Sequence, residues 1–312
     1  MTSPDTQKTV LFYRDFRRFT GGHLKVWHYF GHVADSPAHV PRIHFTPESR
    51  LDASNPWCHS GPVTISPWTP AASDVLFLAG VDWTAVPATV DRPVVNLIQG
   101  FGHARPGDPR YAFLTRRAVR ICVSEEVGEA IRATGRVNGP ILTIPNALDH
   151  TAFPEPATVR DIPVLLAGQK RPELARELAE RLARRGIPVQ CLTEHLPRAE
   201  FLALLGRAEI AVPLPLPEEG FFLPGLEGMA MGAVVICPDC HGNRGWCRDG
   251  ETGYRPLPTA AAIEAAVAMA HELSPANRRA VVDRARAMVR SRSIADERYE
   301  FLAVLSQLDA IL

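Results

Sequence analysis

The sequence predicts an α/β protein with two domains, each built on a parallel β-sheet that has helices on both faces. Its 312 residues suffice for two domains of about 150 residues, each with its own hydrophobic core. Short apolar runs alternate with amphipathic stretches along both halves of the chain, a pattern typical of parallel sheets. Hydrophobic residues make up 46% and charged residues 22%, which favours an ordinary globular protein over a disordered one.

The first half contains five predicted strands and two helix starts. Thr20 and two glycines open one helical stretch, and Ser124 is the N-cap of a helix predicted over 125–134. Each predicted strand is a short apolar run that ends at a polar or glycine-rich segment. The strands are predicted at 9–13, 75–78, 94–98, 119–123 and 141–144.

The second half repeats this alternation more regularly. A helix predicted over 173–185 places Leu174, Leu178 and Leu182 on one face. A second helix is predicted over 198–205, and an apolar helix that Gly232 breaks follows Glu219. The predicted strands cover 162–167, 189–192, 210–212 and 233–237.

The domain boundary is predicted near 153–156, where the periodicity lapses. The N-terminal domain then covers 1–155 and the C-terminal domain 156–293. A last helical segment, 294–312, carries apolar residues at helical spacing, namely Ile294, Phe301, Leu305, Leu308 and Leu312.

Charge and hydropathy exclude several classes of protein. Lys plus Arg and Asp plus Glu both total 34, which argues against a DNA-coating protein, although a local basic groove would not show in this balance. No apolar run approaches the roughly 20 residues that span a bilayer, and the N-terminus lacks a signal-peptide core. We therefore expect a cytoplasmic protein.

Two carboxylates, Glu219 and Glu227, flank a loop that enters an apolar helix. A helix N-terminus offers unpaired N–H groups and a positive dipole end, which suits an anionic diphosphate. We expect Glu219 just before this terminus and Glu227 about two turns inside it, with both carboxylates free to accept hydrogen bonds from sugar hydroxyls. The alternative is that the pair only caps a surface helix.

Residues 219–236 closely resemble the EGFGLPxLEAMAxGxPVV signature of retaining family 4 glycosyltransferases with the GT-B fold. The segment from Ile144 to Asp149, followed by Phe153, resembles the element that ends the N-terminal domain of that family. The Asp249-Gly-Glu-Thr-Gly253 segment resembles a further family element, although Gly245 stands where the family has Glu.

The resemblance implies two Rossmann-like domains with the active site in the cleft between them, and a C-terminal helix that crosses back onto the N-terminal domain. It also implies metal-independent transfer of a sugar from a nucleotide diphosphate to an acceptor hydroxyl, with retention of anomeric configuration. The donor is a substrate, and no cofactor is implied.

The same resemblance assigns the donor site. Glu219 is expected to contact the transferred sugar and Glu227 the ribose. Phe222 replaces a family glycine beside the sugar pocket and leaves the identity of the sugar open. The donor-binding loop between the carboxylates comprises Gly220, Phe221, Phe222 and Leu223.

Lys170 and Arg171 directly follow the predicted strand 162–167. Ligands of doubly wound sheets bind at the carboxyl ends of strands. In the resembled family, an Arg and a Lys after this strand contact the donor diphosphate, and Lys170 is slightly favoured here because it lies nearer the strand end. A solvated helix start is the alternative, but cations there oppose the helix dipole.

Two further candidates lie in the N-terminal half. Gly21 and Gly22 let the backbone approach a ligand closely, and they resemble the Gly-Gly loop that lies beside the donor phosphates in the family. A plain turn is the alternative. His103 follows the predicted strand 94–98 on a glycine-rich loop, where the family often places a His near the donor sugar. We do not assign it as a general base, because the resemblance implies that the departing phosphate takes the acceptor proton.

The sequence gives little reason to expect a metal. An Asp-x-Asp motif, typical of metal-dependent transferases, is absent from the sequence. Cys237 and Cys240 have the Cys-x-x-Cys spacing of a zinc site, with Cys247 nearby, but no second paired motif follows. Free thiols in the core are the favoured interpretation.

Several partners and activities remain open. The basic and aromatic segment 14–19 could contact a membrane surface or an acidic acceptor, or be a solvated loop edge. The acceptor could be a glycan, a lipid-linked glycan or a small molecule. Alternative functions are a sugar-phosphate synthase or phosphorylase of the same fold, and a non-catalytic protein that binds nucleotide sugars or glycans. Glycosylation of bases in nucleic acid is disfavoured by the neutral charge.

Overall fold

The computed structural model describes residues 7–59, 63–155, 157 and 159–312, and the chain divides into two compact units. The first unit comprises 1–146 and 295–312, and the second comprises 147–294. The division precedes the predicted boundary because Leu148 belongs to the second unit, where it forms a β-bridge with Ser293 and packs into an apolar cluster. Pro156, the predicted first residue of the C-terminal domain, and residues 1–6 lie outside the described residues.

A six-stranded parallel sheet forms the centre of the first unit, with the strand order β2-β1-β3-β4-β5-β6. The predicted strands are confirmed within one residue at each end, and β2 was not predicted. The elements are β1 Lys8–Arg14, α1 Gly21–Ala34, β2 His39–Phe45, β3 Val75–Ala79, β4 Val94–Ile98, β5 Val119–Cys122, α2 Glu125–Ala133 and β6 Ile141–Thr143.

The second unit contains a four-stranded parallel sheet in the order β10-β9-β7-β8. The predicted α/β fold class, with two Rossmann-like parts, is confirmed. The elements are β7 Ile162–Ala167, α3 Pro172–Arg184, β8 Val189–Leu192, α4 Arg198–Arg207, β9 Ala208–Pro213, α5 Leu223–Ala230, β10 Val234–Val235, α6 Ala260–His271 and α7 Pro275–Arg290. The chain ends with α8 Ile294–Ser306 and α9 Leu308–Ile311.

Both faces of β7 are buried. Val164 and Leu166 pack in one apolar cluster with Leu178 of α3 and Ile263 of α6. Leu165 and Ala167 pack in another cluster, which includes Phe201, Leu202 and Leu205 of α4. Because successive side chains of a strand point to opposite faces, this alternation covers the sheet with helices on both sides. The carboxyl ends of β7 and β9 are thereby held in a rigid frame.

A buried charged contact ties α8 to α1 within the first unit. The ammonium of Lys25 donates to both carboxylate oxygens of Glu297 at 2.7 and 2.6 Å, and both residues are fully buried. His32 lies 3.1 Å from the same carboxylate. Burial alone would raise the pKa of Glu297, but the charge of Lys25 and the hydrogen bond with His32 lower it to about 2.

None of the helices in the described ranges has both the length and the apolar composition needed to span a bilayer.

Candidate functional site

The loop between β9 and α5 carries Glu219, and it lies beside the loop that follows β7. The ammonium of Lys170 donates to Glu219 Oε1 at 2.6 Å and lies 5.4 Å from the centre of the Phe222 ring. Glu219 also accepts from the amide of Leu216 at 3.4 Å. The carboxylate side chain is 15% exposed, while that of Lys170 is 42% exposed. The structure therefore brings three predicted site residues together at the carboxyl ends of two neighbouring parallel strands.

Glu227 is the fifth residue of α5, so it lies little more than one turn inside the helix and not two turns as predicted. It is 6% exposed. Burial raises the pKa of its carboxyl, and the guanidinium of Arg198 opposes this rise. Arg198 Nη2 and Nε donate to the same oxygen, Glu227 Oε1, at 3.0 and 3.2 Å. The two signature carboxylates thus occupy different environments, each facing its own cation.

Arg198 was missed by sequence reasoning. It is the first residue of α4, and its guanidinium carbon lies 5.3 Å from the centre of the Phe153 ring. A cation in the first turn of a helix opposes the helix dipole, so its position there was a signal that could have been noticed. Its partner, however, is 29 positions away in the sequence, and no local motif connects them.

The N-terminus of α5 is less open to an anion than predicted. The amides of Phe222, Leu223 and Gly225 already donate to the carbonyls of Gly242, Phe221 and Phe222 at 3.1–3.4 Å. Pro224 has no amide hydrogen. In the part of the chain that the structure describes, the amides of Gly220 and Phe221 have no acceptor. The free donors therefore lie in the loop next to Glu219, one turn before the expected position.

The segment 241–247 supports this loop. A Cβ at Gly242 would fall 2.5 Å from the carbonyl oxygen of Glu219 and 2.6 Å from the nitrogen of Phe221, so only glycine fits. The Gly242 carbonyl accepts from Trp246 Nε1 at 2.8 Å. The Trp246 ring in turn packs against Gly225 of α5, where a Cβ would lie 2.2 Å from it. Gly225 and Gly242 thus let the loop, the helix and the Trp246 ring approach each other closely.

Phe222 does not stand beside an open pocket as predicted. Its side chain is 3% exposed and lies in an apolar cluster with Leu148, Leu226 and Trp246. Leu223 belongs to the same cluster and is also buried, whereas Phe221 is only partly buried.

Lys170 and Arg171 differ in the structure. Arg171 is the N-cap residue of α3, and its carbonyl accepts from Ala175 at 3.0 Å. Its side chain forms no ion pair with any described residue, unlike that of Lys170. The structure therefore brings only Lys170 to Glu219.

The glycine pair in the first unit opens α1, as predicted. Thr20 caps the helix by accepting from the His23 amide at 3.2 Å, and Gln99 donates to the Gly22 carbonyl at 3.2 Å. The glycine pair and the end of β4 are therefore neighbours. Gly21 is exposed and Gly22 is partly buried.

His103 lies in a short 3-10 helix and is only 1% exposed, so it is not presented on an open loop as predicted. Burial, and then the charge of Arg110, lower its pKa to about 4. The imidazole is therefore neutral at neutral pH.

The segment 14–19 does not form a continuous basic and aromatic surface. Arg14 and Phe16 are buried, and the guanidinium of Arg14 pairs with Asp82. Burial lowers the pKa of Arg14 to about 10. Arg17 pairs with Asp15 at 2.7 Å. The buried ion pair with Asp82 therefore places the Arg14 side chain in the interior of the first unit.

The cysteines of the Cys-x-x-Cys segment are free and buried. Cys237, Cys240 and Cys247 lie in one apolar cluster, and burial raises the pKa of Cys240 and Cys247 to about 12. Over the described ranges, no group of three His, Cys, Asp or Glu side chains is arranged to hold a metal ion. These thiols fill core positions.

The two carboxylates and their cations, Lys170 and Arg198, lie within the segment that a family model matches. Residues 120–273, just under half of the chain, match the family model described as glycosyl transferases group 1. The resemblance to GT-B glycosyltransferases is confirmed. None of the curated protein sequences matches the chain.

Solved structures agree with this fold over nearly the whole chain. Sucrose-phosphate synthase from Thermosynechococcus elongatus is 16% identical with a TM-score of 0.71, covering 97% of this chain and 100% of the other. Anabaena HepE, solved with UDP and glucose, is 13% identical with a TM-score of 0.77, covering 96% and 100%. An α,α-trehalose-phosphate synthase from Burkholderia vietnamiensis is 13% identical with a TM-score of 0.66, covering 98% and 100%. At these identities the likeness concerns the fold.

Proposed function

We propose that this chain is a retaining glycosyltransferase that moves a sugar from a nucleotide diphosphate to an acceptor hydroxyl without a metal ion. One observation carries the proposal. Within the segment matched by the family model, Glu219 and Glu227 stand four residues before and one turn inside the same helix, and each faces a cation. A pair that only capped a helix would not need Lys170 or Arg198.

Lys170 and Glu219 would handle the reacting end of the donor. Breaking the bond between sugar and phosphate builds negative charge on the departing diphosphate, and a nearby ammonium stabilises that charge. The Glu219 carboxylate, 2.6 Å from this ammonium, would accept a hydrogen bond from a sugar hydroxyl. The free amides of Gly220 and Phe221 would add donors for the diphosphate.

Glu227 would bind the ribose. Its buried carboxylate can accept hydrogen bonds from hydroxyls but would repel phosphate, so its place beyond the loop amides suits the nucleoside end of the donor. Arg171 would serve as a second diphosphate contact, in keeping with the family, and His103 and the Gly21–Gly22 pair remain candidate contacts in the first unit.

The proposed reaction retains the anomeric configuration of the sugar and needs no divalent cation. The departing phosphate would accept the proton of the attacking hydroxyl on the same face of the sugar, so no separate carboxylate base is needed. Lys170 and backbone amides would replace a divalent cation at the diphosphate. The sequence contains no Asp-x-Asp motif that would bridge a metal to the donor.

Product analysis tests the proposal. The protein is incubated with a panel of nucleotide sugars, with UDP-glucose as the first donor because HepE was solved with that ligand. Acceptors cover sugar hydroxyls, lipid-linked glycans, sugar phosphates and inorganic phosphate. We expect release of a nucleoside diphosphate and a product whose anomeric configuration, read by NMR, matches that of the donor. An inverted product would contradict the retaining mechanism.

The same panel separates the alternatives. Two of the similar structures are sugar-phosphate synthases, which favours including sugar phosphates as acceptors. Transfer only to a sugar phosphate or to inorganic phosphate would assign the chain to the synthase or phosphorylase class. Binding of a nucleotide sugar without turnover on any acceptor would favour a non-catalytic binding protein.

A further inference from the structure

The contact between Arg198 and Glu227 leaves one carboxylate oxygen for a ligand. Both guanidinium donors go to Oε1, at 3.0 and 3.2 Å. Oε2 receives no hydrogen bond from any described residue, yet it is not among the side-chain atoms sealed from solvent without a partner. A carboxylate that is 6% exposed and holds an unused acceptor is arranged to receive a hydrogen bond from a bound molecule.

Arg198 is itself held in place on two sides. Its guanidinium lies between the Glu227 carboxylate and the Phe153 ring, 5.3 Å from the ring centre. The side chain is 20% exposed. A guanidinium that is held over an aromatic ring loses rotational freedom, so it fixes the carboxylate that it contacts. Arg198 does not stabilise α4 itself, because a cation at the start of a helix opposes the helix dipole.

We propose that Arg198 is a positioning residue for the nucleotide, which holds Glu227 by Oε1 so that Oε2 accepts a ribose hydroxyl and the site selects ribonucleoside diphosphates. This inference rests on the proposed function. Arg198 does not contact the reacting atoms, and it acts through Glu227. A nucleotide that lacks the ribose hydroxyl would leave Oε2 buried without a hydrogen-bond partner. Because an unpaired buried acceptor is costly, the site would discriminate strongly against such a deoxynucleotide.

Calorimetry with UDP and its 2′- and 3′-deoxy analogues tests the inference, with ADP and GDP in parallel. For the wild type we expect one deoxy analogue to bind about tenfold more weakly than the ribonucleotide. Arg198→Met should weaken UDP binding by about tenfold or more and reduce this preference. Arg198→Lys, which keeps the charge but loses the two-donor contact, should fall between the two.

A pH profile separates positioning from a purely structural role. Among the described residues of the elements that pack on α5, Arg198 is the charged group that acts on Glu227. Without it, burial alone sets the carboxyl pKa and raises it further. As the pH is lowered, the UDP affinity of Arg198→Met should therefore begin to fall at a higher pH than that of the wild type. Arg207→Met is the matched control, because Arg207 lies at the other end of α4 and pairs with Asp161 at 2.5 Å.

If Arg198→Met fails to fold, the double variant Arg198→Met with Glu227→Gln removes the buried charge. We expect it to fold and to bind UDP and the deoxy analogues equally. A folded Arg198 variant with wild-type UDP affinity, deoxy preference and pH profile would overturn the inference while leaving the proposed function intact. A wild type that binds no nucleoside diphosphate would overturn both.

Discussion

Lys170 and Arg171 are adjacent in the sequence but have different surroundings. Lys170 contacts Glu219 and the Phe222 ring, whereas Arg171 begins α3 without an ion pair among the described residues. Lys170 is therefore tied to the loop of the signature segment, whereas no ion pair among the described residues ties Arg171 to that loop. This difference makes a substitution series informative.

We predict that Lys170→Ala lowers the turnover number by about a hundredfold, on the order of 3 kcal/mol, because its charge is needed most when the diphosphate departs. The donor Michaelis constant should rise less than the turnover number falls. Steady-state kinetics with folding checked by circular dichroism measure this. Arg171→Ala is the comparison and should have the smaller effect. If both folded variants keep near-normal turnover, the phosphate is held elsewhere.

At the same scale, the sequence predicted the two carboxylates and Lys170 as site residues, but not Arg198. Glu219 and Glu227 belong to one motif, so a single stretch of sequence identifies them. Arg198 meets Glu227 only through the packing of α4 against α5, and such a contact depends on tertiary structure. Phe222 was expected near the sugar pocket, because the sequence does not show that a cavity in the core would accept its ring.

At the scale of elements, the loop before α5 is shaped by the segment that follows β10. Gly242 touches the backbone of Glu219 and Phe221 so closely that any side chain must displace one of them. The loop that carries Glu219 is therefore positioned by backbone contact as well as by the ion pair with Lys170.

We predict that Gly242→Ala lowers turnover by at least tenfold and lowers the melting temperature, because a Cβ 2.5 Å from a carbonyl oxygen forces the loop to move. Enzyme assays and thermal unfolding measure the two effects. Gly31→Ala in α1 is the control, since its Cβ would meet nothing within 4 Å, and it should stabilise the helix by up to about 1 kcal/mol. Unchanged turnover in Gly242→Ala would show that the loop position is not important.

The buried contact between α1 and α8 predicts acid sensitivity. Glu297 has a folded-state pKa of about 2, below its ordinary value of 4.5, so its contribution is fully present above pH 4.5 and is lost as the pH falls toward 2. We expect Glu297→Gln to cost about 3 kcal/mol of the free energy of unfolding at pH 7 and to flatten its dependence on pH below 4.5. Denaturant titrations at pH 7, 4 and 3 measure this.

Asp309→Asn is the control for that series, because Asp309 pairs with Lys8 in an exposed contact at 2.5 Å and should change stability by less than about 1 kcal/mol. A Glu297→Gln variant as stable as the wild type at pH 7 would mean that the pair contributes nothing beyond neutral packing.

The elements themselves were largely predictable, and the misses have physical causes. Buried parallel strands such as β3 read as continuous apolar runs. The edge strand β2 was missed because Pro41, Arg42 and two histidines interrupt its apolar residues, and an edge position tolerates them. The helix α8 was predicted from its apolar spacing, but the buried Glu297 that joins it to α1 lies 272 positions from Lys25 and has no local signal.

At the scale of the whole molecule, the proposed glycosyl transfer proceeds without a divalent cation. We predict that EDTA leaves glycosyl transfer unchanged, because Lys170 and the loop amides would neutralise the diphosphate. Initial rates with and without EDTA, after extensive dialysis, measure this. Loss of activity that Mn²⁺ or Mg²⁺ restores would contradict the metal-free mechanism.

A thermal-shift screen of the intact protein with a panel of nucleoside diphosphates tests directly whether the chain binds a nucleotide through Glu227. The screen is repeated on Glu227→Ala and Glu219→Ala. A diphosphate at a hundredfold excess over its dissociation constant stabilises the fold by about 2.7 kcal/mol, which raises the melting temperature by several degrees. We predict such a shift for at least one diphosphate with the wild type. It should persist in Glu219→Ala and be clearly smaller in Glu227→Ala. A folded wild type that no diphosphate stabilises, or an unchanged shift in Glu227→Ala, would contradict the account.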